Sequence, residues 1–308
     1  MSAALPLLVA LLEVYAAGDI ADCRKSAAAD SDAARTAALI PPGSTVLVLG
    51  DTTYPLATEA TLEACYAPTW GAHRATTLAI PGNHDYVDRR TDAFLAYFGS
   101  GAAAEGYFAR ELDGWLVIGL DSHLSGERLD QQYAWLEATL AEHSDTQCTL
   151  AMWHTPLFSS GLHRGAGEHM RRFWALLDAH GTDVVLGGHE HFYEAFEPLD
   201  AEGRPVEQGI RSFVVGTGGA RLHGFWSPPY ASRARILKHG VLRLSLDERA
   251  FAWQFIRVDG GVADSGEARC RWSDPENRGH SPFFEARKRE TRKMENVPYF
   301  PDPTTGTD

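Results

Sequence analysis

Short apolar runs recur along the first two thirds of the chain, and each is followed directly by polar residues of metal-binding types. The runs are rich in Val, Leu, Ile and Ala, and continuous runs of this length are typical of strands buried on both faces. They predict strands at residues 14–17, 46–49, 78–80, 149–153 and 184–186. The polar residues that follow these strands are Asp19, Asp51, Asn83 with His84 and Asp85, His154, and His189 with His191.

Segments with helical character lie between these runs. Apolar residues recur at intervals of three and four in residues 129–140 and 170–177, which predicts two amphipathic helices. Residues 27–39 are rich in Ala and favour a third helix. Strands that alternate with helices indicate an α/β fold with a mostly parallel sheet, in which ligands bind beyond the carboxyl ends of the strands. We therefore expect the polar residues of all five runs to meet at one edge of this sheet.

The pattern changes after about residue 205. Residues 211–215, 240–246 and 251–258 are strand-like, and parts of them alternate between apolar and polar positions. They predict a second, more antiparallel sheet packed on the first. The expected fold is thus α/β, with two packed β-sheets flanked by helices. We expect one domain over residues 1–272 and a loosely attached polar tail over residues 273–308.

Composition and charge narrow the classes of partner. The 308 residues are 44% hydrophobic and 22% charged, which suits a globular protein with a sizeable core. Lys and Arg number 28 against 41 Asp and Glu, so the formal net charge is −13. This charge repels phosphate backbones and anionic lipids, so we expect neither a nucleic-acid nor a membrane partner. No apolar run reaches the ~18 residues of a membrane span. Binding of a phosphate ester would need a local positive field, which a bound metal can supply.

Two features of the sequence bear on the compartment. The four cysteines, at 23, 65, 148 and 270, include no CxxC pair, which argues against a thiolate zinc site. They form either two disulfides, in one of three pairings, or four reduced buried thiols. The apolar segment at residues 3–12 has no preceding Lys or Arg and is followed by Glu13, so no signal peptide is expected as encoded. The default expectation is a cytoplasmic protein, and the alternative is export if translation starts upstream.

The polar groups form a series of motifs in a fixed order. Taken singly, each has an ordinary explanation as a cap, a turn or a surface residue. The series reads Asp19-Ile20-Ala21, Gly50-Asp51-Thr52-Thr53-Tyr54, Gly82-Asn83-His84-Asp85, Trp153-His154 and Gly188-His189-Glu190-His191. It resembles the motifs DxG, GDxxY, GNH(D/E), VxxH and GHxH of the calcineurin-like metallophosphoesterase superfamily. Within this superfamily, the second motif resembles that of the purple acid phosphatase branch, because it contains the tyrosine Tyr54. The sequence departs from these motifs at two positions. Ala21 replaces the Gly of the first motif and Ala151 replaces the Val of the fourth, but neither position is a ligand.

The resemblance implies a centre of two metal ions. One ion would be held by four side chains, namely Asp19, Asp51, Tyr54 and His191. Asp51 would bridge to a second ion, whose other ligands would be Asn83, His154 and His189. Carboxylate, amide, phenolate and imidazole donors suit iron paired with zinc, manganese or a second iron. Two such ions ~3.5–4 Å apart clamp the attacking and leaving oxygens of a displacement and generate hydroxide near neutral pH.

The resemblance also implies roles for residues that do not bind metal. His84 would face the phosphate, where it would stabilise charge or protonate the leaving oxygen, with Asp85 orienting it. His163 and Arg164 are weaker candidates for substrate contact, the alternative being a solvated loop pair. His223 is a weaker candidate still, and His123 is expected to be an ordinary surface residue.

These roles imply hydrolysis of a small phosphomonoester by metal-activated hydroxide. The same metal pair would support a phosphodiesterase that acts on nucleotides or glycerophospho-compounds. An alternative from another class is an inactive binding scaffold, as the metallophosphoesterase-like subunit of retromer illustrates. A scaffold is expected to have lost ligands, whereas all seven are present here together with His84.

Overall fold

Thirteen strands form two mixed β-sheets in the part of the chain that the computed structural model describes, which is residues 11–163, 166–228 and 231–271. The strands of the first sheet, in order across it, are β13 (Val262–Arg269), β12 (Ala250–Arg257), β11 (Gly240–Leu246), β1 (Leu12–Ala17), β2 (Thr45–Val48) and β3 (Thr77–Ala79). Those of the second are β10 (Ser232–Ile236), β8 (Tyr193–Phe196), β9 (Arg211–Val215), β7 (Val184–Gly187), β6 (Cys148–Met152), β5 (Trp115–Gly119) and β4 (Phe108–Leu112).

Helices cover the outer faces of the sheets. They are α1 (Asp32–Ala37), α2 (Glu59–Thr61, which continues as a π-helical turn over Leu62–Tyr66), α3 (Asp92–Phe98), α4 (Glu127–Glu142) and α5 (Arg171–Ala179). The two amphipathic patterns correspond to α4 and α5, which confirms both predictions. The Ala-rich segment is different, because Ser31 is extended and its side chain accepts a hydrogen bond from the Ala34 amide (3.2 Å). This cap starts α1 at Asp32, so the segment is a short 3₁₀ turn followed by a six-residue helix.

The hydrophobic core has two parts. The larger includes residues between the sheets, such as Trp253 of β12, which contacts Phe213 of β9, and it extends to helices α1 and α3 through Ala33 and Phe94. The smaller lies between the outer face of the second sheet and helices α4 and α5. Side chains alternate across each strand, so a strand that is covered on both faces must be apolar throughout. This is why the continuous runs predicted buried strands correctly, and the expected pair of packed sheets with flanking helices is confirmed.

The allocation of strands to sheets differs from the expectation. The five motif-bearing strands do not share one parallel sheet, because β1, β2 and β3 belong to the first sheet and β6 and β7 to the second. Nor do the later strands form a sheet of their own: β9 lies parallel to β7, while in the first sheet β11 pairs antiparallel with β1 and β12 pairs antiparallel with β11. The second sheet therefore has a parallel centre with antiparallel edges, whereas the first has parallel strands on one side and antiparallel strands on the other. The carboxyl ends of the parallel strands of both sheets face one end of the molecule.

The four cysteines form two disulfides, Cys23–Cys65 and Cys148–Cys270, which resolves the alternative left open by the sequence. The second bond joins the first residue of β6 to the residue that follows β13, and so connects the two sheets. Residues 273–308, predicted to be a polar tail, lie outside the described residues. Within the described ranges, no helix has the length and apolar character needed to span a bilayer.

Removal of the Cys148–Cys270 bond should destabilise the fold. The bond closes a long loop, with a sequence separation of 122 residues, and its loss frees chain entropy in the unfolded state. We expect Cys148→Ala/Cys270→Ala to lower the free energy of unfolding by about 2–5 kcal/mol, measured by urea denaturation. The matched control is Cys23→Ala/Cys65→Ala, which opens a loop of 42 residues and should cost no more. An unchanged urea midpoint for the first variant would contradict the assigned bond.

Candidate metal centre

The carboxyl ends of five parallel strands carry the residues that the sequence singles out. Asp19 follows β1, Asp51 follows β2, and Asn83 follows β3 in the first sheet. His154 follows β6, and His189 and His191 follow β7 in the second sheet. Backbone hydrogen bonds join these loops across the two sheets, among them Gly18 N to Val215 O at 2.9 Å. The structure thus brings residues from distant parts of the sequence to one site.

A first group of donor atoms surrounds the Tyr54 hydroxyl. This oxygen lies 2.8 Å from Asp19 Oδ1, 3.0 Å from Asp51 Oδ2 and 3.0 Å from His191 Nε2. His191 Nε2 is itself 3.0 Å from Asp19 Oδ1. Asp19 and Asp51 are fully buried, and Tyr54 and His191 nearly so.

A second group surrounds the ring of His154, which is fully buried. His154 Nε2 lies 3.2 Å from Asn83 Oδ1, 3.2 Å from His189 Nδ1 and 3.4 Å from Asp51 Oδ2. Asp51 Oδ2 therefore belongs to both groups. The seven side chains form two clusters that share one carboxylate oxygen, as two cations with a bridging ligand would require.

The hydrogen bonds around the imidazoles fix which nitrogens face the clusters. His154 Nδ1 lies 2.7 Å from the Leu49 carbonyl, and His191 Nδ1 lies 2.7 Å from the Arg221 carbonyl. A carbonyl only accepts, so each Nδ1 carries a proton, and a cation at the cluster, whether a second proton or a metal ion, would be held at Nε2. Without such a cation, His154 Nε2, Asn83 Oδ1 and Asp51 Oδ2 would be acceptor atoms at short distances, which is unfavourable. The donor set fits hard or borderline metal ions.

The model of the family described as calcineurin-like phosphoesterase matches residues 13–193, more than half of the chain. The matched range contains all seven donor residues and His84. The chain belongs to the calcineurin-like phosphoesterase family.

Relatives indicate the branch of this phosphoesterase family. The chain is 31% identical over 175 residues to purple acid phosphatase 18 of Arabidopsis thaliana, an alignment that covers 54% of this chain and 40% of that protein. It is 31% identical over 162 residues to purple acid phosphatase 21 of the same plant, covering 49% of this chain and 36% of that protein. These similarities support the purple acid phosphatase-like branch. The chain spans less than half the length of these relatives.

Solved structures share the fold at low sequence identity. The purple acid phosphatase PPD1 of yellow lupin (Lupinus luteus) superposes with a TM-score of 0.64 and 17% identity, covering 83% of this chain and 53% of that chain. GAP50, described as the anchor in the inner membrane complex of Plasmodium, gives a TM-score of 0.69 at 13% identity, covering 97% and 99%. These likenesses show the metallophosphoesterase sandwich fold.

The electrostatics of the phosphoesterase centre reflect close opposite charges in a dry environment. Burial alone would raise the pKa of Asp19 and Asp51, but the neighbouring histidines outweigh it and lower both pKa values. Burial would lower the pKa of His154, yet the Asp51 carboxylate raises it to about 10. Burial and the two carboxylates raise the pKa of Tyr54 well above its usual value. With protons alone, the cluster therefore retains a positive charge on His154 and a neutral phenol at Tyr54.

Three of the donor residues have left-handed backbone conformations. Asp19, Asp51 and His189 have φ angles of 58°, 52° and 68°, which non-glycine residues rarely adopt. Such strain persists where surrounding structure holds it, and it concentrates at functional sites. Close approach adds a further constraint, since a Cβ at Gly82 would lie 2.2 Å from Asp51 Oδ1. The glycine of the third motif is thus required by its distance to the shared carboxylate.

His84 lies at the edge of the centre. Its Nδ1 is 2.6 Å from the Pro55 carbonyl, and its Nε2 is 3.9 Å from Asp51 Oδ2. Its backbone amide donates to Asp51 Oδ1 (2.8 Å), and its side chain is 35% exposed. This geometry leaves Nε2 directed toward the carboxylate and accessible to a ligand.

Asp85 does not orient His84, contrary to the expectation. Its Oδ2 accepts from the amides of Asp51 (2.7 Å) and Gly82 (2.8 Å), and its Oδ1 accepts from the amide (3.0 Å) and the hydroxyl of Thr52. The Pro55 carbonyl occupies the position at His84 Nδ1 that Asp85 was expected to take. Burial and the nearby Asp51 raise the pKa of Asp85 to about 6. Asp85 therefore holds the Asp51 loop against the third motif, which is a positioning role.

His163 lies beside the centre, and Arg164 lies outside the described residues. The ring centroid of His163 is 4.8 Å from that of His189, and its side chain is 41% exposed. His163 is therefore placed where a ligand bound at the second cluster would meet it.

Two further histidines adjoin the centre, although neither belongs to one of the five sequence motifs. His223 stacks in parallel on His191, with centroids 4.2 Å apart and planes 7° apart. The His123 ring lies 5.6 Å from that of His154, in a loop that a hydrogen bond from the Asp121 amide to Gln132 Oε1 holds to α4 (2.8 Å). His123 follows β5 (Trp115–Gly119). The site residues were predicted from polar positions that follow apolar runs, so His123 would have been among them if residues 115–119 had been identified as a strand.

Asp85→Asn should destabilise the fold more than His84→Ala. Whichever way the amide turns, its NH₂ group faces at least one backbone N–H now bound to the carboxylate. A buried donor left without an acceptor costs about 1–3 kcal/mol in the free energy of unfolding, which urea denaturation would measure. His84→Ala truncates a partly exposed side chain and should cost about 1 kcal/mol or less. Equal stability of Asp85→Asn and the wild type would argue against this positioning role.

Proposed function

We propose that this chain is a dinuclear-metal phosphoesterase that hydrolyses small phosphomonoesters. The observation that carries the proposal is the sharing of Asp51 Oδ2 between two clusters of oxygen and nitrogen donors. Asp19, Tyr54 and His191 would complete one ion's ligands, and Asn83, His154 and His189 those of the other. The bound ions would clamp the ester oxygens and lower the pKa of a water molecule. Iron paired with zinc, manganese or iron suits these donors.

His84 would hold the proton that the leaving oxygen needs. Its Nδ1 donates to the Pro55 carbonyl at 2.6 Å, which fixes the ring and directs Nε2 toward the centre. A proton on Nε2 makes the ring cationic, so it would both attract the phosphate and transfer that proton as the ester bond breaks. The tilted contact with the Tyr54 ring, with centroids 4.4 Å apart, restricts the imidazole further.

His163 would contact the phosphate beside the second cluster. It lies against His189 of that cluster, whereas His84 lies against Tyr54 of the first. Each is exposed enough to reach a ligand, at 35% and 41% of the side chain. A positive field in this pocket would attract a phosphate ester, which the net charge of −13 on the protein would otherwise repel.

The metal content and the choice of ester test the proposal together. Protein purified without added metal should contain about two ions per chain by elemental analysis, and it should hydrolyse phenyl phosphate faster than diphenyl phosphate. Asp51→Asn removes the charge of the shared oxygen while it can still accept from the His84 amide, so it should lose both ions and the activity. Faster turnover of the diester would favour the phosphodiesterase alternative. Retention of two ions by Asp51→Asn would contradict the bridging role.

His84→Ala separates proton transfer from metal binding. Because His84 lies outside both clusters, the variant should keep the wild-type metal content. Its kcat for phenyl phosphate should fall by roughly 10²-fold, the usual contribution of a general acid. The fall should be smaller for esters whose leaving group is more acidic, since such a group needs less protonation. An unchanged kcat across the series would remove His84 from the mechanism.

A further inference from the structure

We propose that Glu190, the residue between the two histidines of the fifth motif, positions His163 for contact with the phosphate. This inference rests on the proposed function, because it assigns to His163 a role in substrate binding. It concerns a carboxylate that belongs to neither donor cluster.

Glu190 makes two contacts with His163. The backbone amide of His163 donates to Glu190 Oε1 at 2.7 Å. The ring nitrogen His163 Nδ1 lies within ion-pair distance of Glu190 Oε2, at 3.5 Å. One carboxylate thus holds both the main chain and the ring of His163. With Nδ1 directed toward Glu190, Nε2 at the far side of the ring is left to face a ligand.

The burial of Glu190 requires a partner of this kind. The residue is only 1% exposed, and a buried carboxylate is costly unless it is paired and hydrogen-bonded. Within the described ranges, Glu190 Oε2 forms its ion pair with His163 Nδ1. A passive filler at this position could be apolar, so the charge indicates a directional task.

The loop before His163 is shaped around the same carboxylate. A Cβ at Gly161 would lie 2.1 Å from both the carboxyl carbon and Oε2 of Glu190, so only glycine allows the chain to pass so close. The fixed spacing between Glu190 and His189 then places the His163 ring over His189, with centroids 4.8 Å apart. Glu190 therefore links the position of His163 to the strand end that carries the two histidines.

Glu194 provides a matched comparison. It is also fully buried and anchors the same loop, since the Ser160 amide donates to its Oε2 at 2.9 Å. Its other oxygen accepts from the Ser232 hydroxyl. Glu194 thus secures the loop three residues before His163, and in the described part of the chain it forms no hydrogen bond or ion pair with the His163 ring. If Glu190 were merely a loop anchor, neutralising either glutamate should have the same effect.

A double-mutant cycle tests the assignment. The variants are Glu190→Gln, His163→Ala, their combination, and Glu194→Gln as the control. Gln at 190 can still accept from the His163 amide, but its NH₂ group faces Nδ1 and reverses the polarity of that contact. We expect Glu190→Gln to raise KM for phenyl phosphate by about three- to tenfold with kcat within twofold and the metal content unchanged. His163→Ala should raise KM at least as much, and the combination should be no worse than His163→Ala alone.

A binding measurement gives a second readout. Calorimetry with inorganic phosphate should show its Kd rising in Glu190→Gln and His163→Ala by similar factors, with no further rise in the combination and no more than twofold in Glu194→Gln. Additive effects, an equal effect of Glu194→Gln, or loss of metal from Glu190→Gln would each overturn the positioning role. If the wild type hydrolyses no phosphate ester, the proposed function fails, while the phosphate titration still tests the link between Glu190 and His163.

Discussion

The centre depends on hydrogen bonds that cross between the two sheets at their carboxyl ends. His154 comes from the second sheet, yet its ring is fixed by the carbonyl of Leu49, which follows β2 of the first. In the opposite direction, Asp19 of the first sheet accepts from the His189 amide through Oδ2 at 2.8 Å. These bonds set the distance between half-sites on separate sheets. Without them, Asp51 Oδ2 could not belong to both clusters.

The same two sheets are joined at the opposite end by a covalent bond. Cys148 opens β6 and Cys270 follows β13, so their disulfide connects the edge region of the first sheet to the centre of the second. Between these ends lies an apolar core that packs well but offers little directional constraint. Directional bonds at both ends therefore restrict sliding of one sheet over the other. Sub-ångström changes in sheet position would alter donor distances, so this restriction serves the centre as well as the fold.

Local pattern predicted what depends on local burial. Continuous apolar runs revealed β2, β6 and β7, and ordered motifs revealed all the donor residues, because a strand end fixes where the next side chains lie. Sheet membership was not predictable. β2 and β6 are both short apolar strands, and the strands with which they pair are remote in sequence. β13 escaped notice because it is a half-exposed edge strand with few apolar residues. Asp85 was misassigned because it and His84 are consecutive in a 3₁₀ turn, where neighbouring side chains diverge by about 120°.

The charge balance of the centre explains why its residues tolerate burial. Asp19 and Asp51 are fully buried within an acidic protein, and backbone amides such as those of His84 and His189 stabilise them only in part. A proton on His154 offsets part of the carboxylate charge, but a proton joins only one pair of acceptors, whereas a metal ion binds four or more donors at once. Cations that bind the folded chain alone also stabilise it by mass action. Under the proposed function, metal ligation would also offset the strain of the left-handed backbone at Asp19, Asp51 and His189.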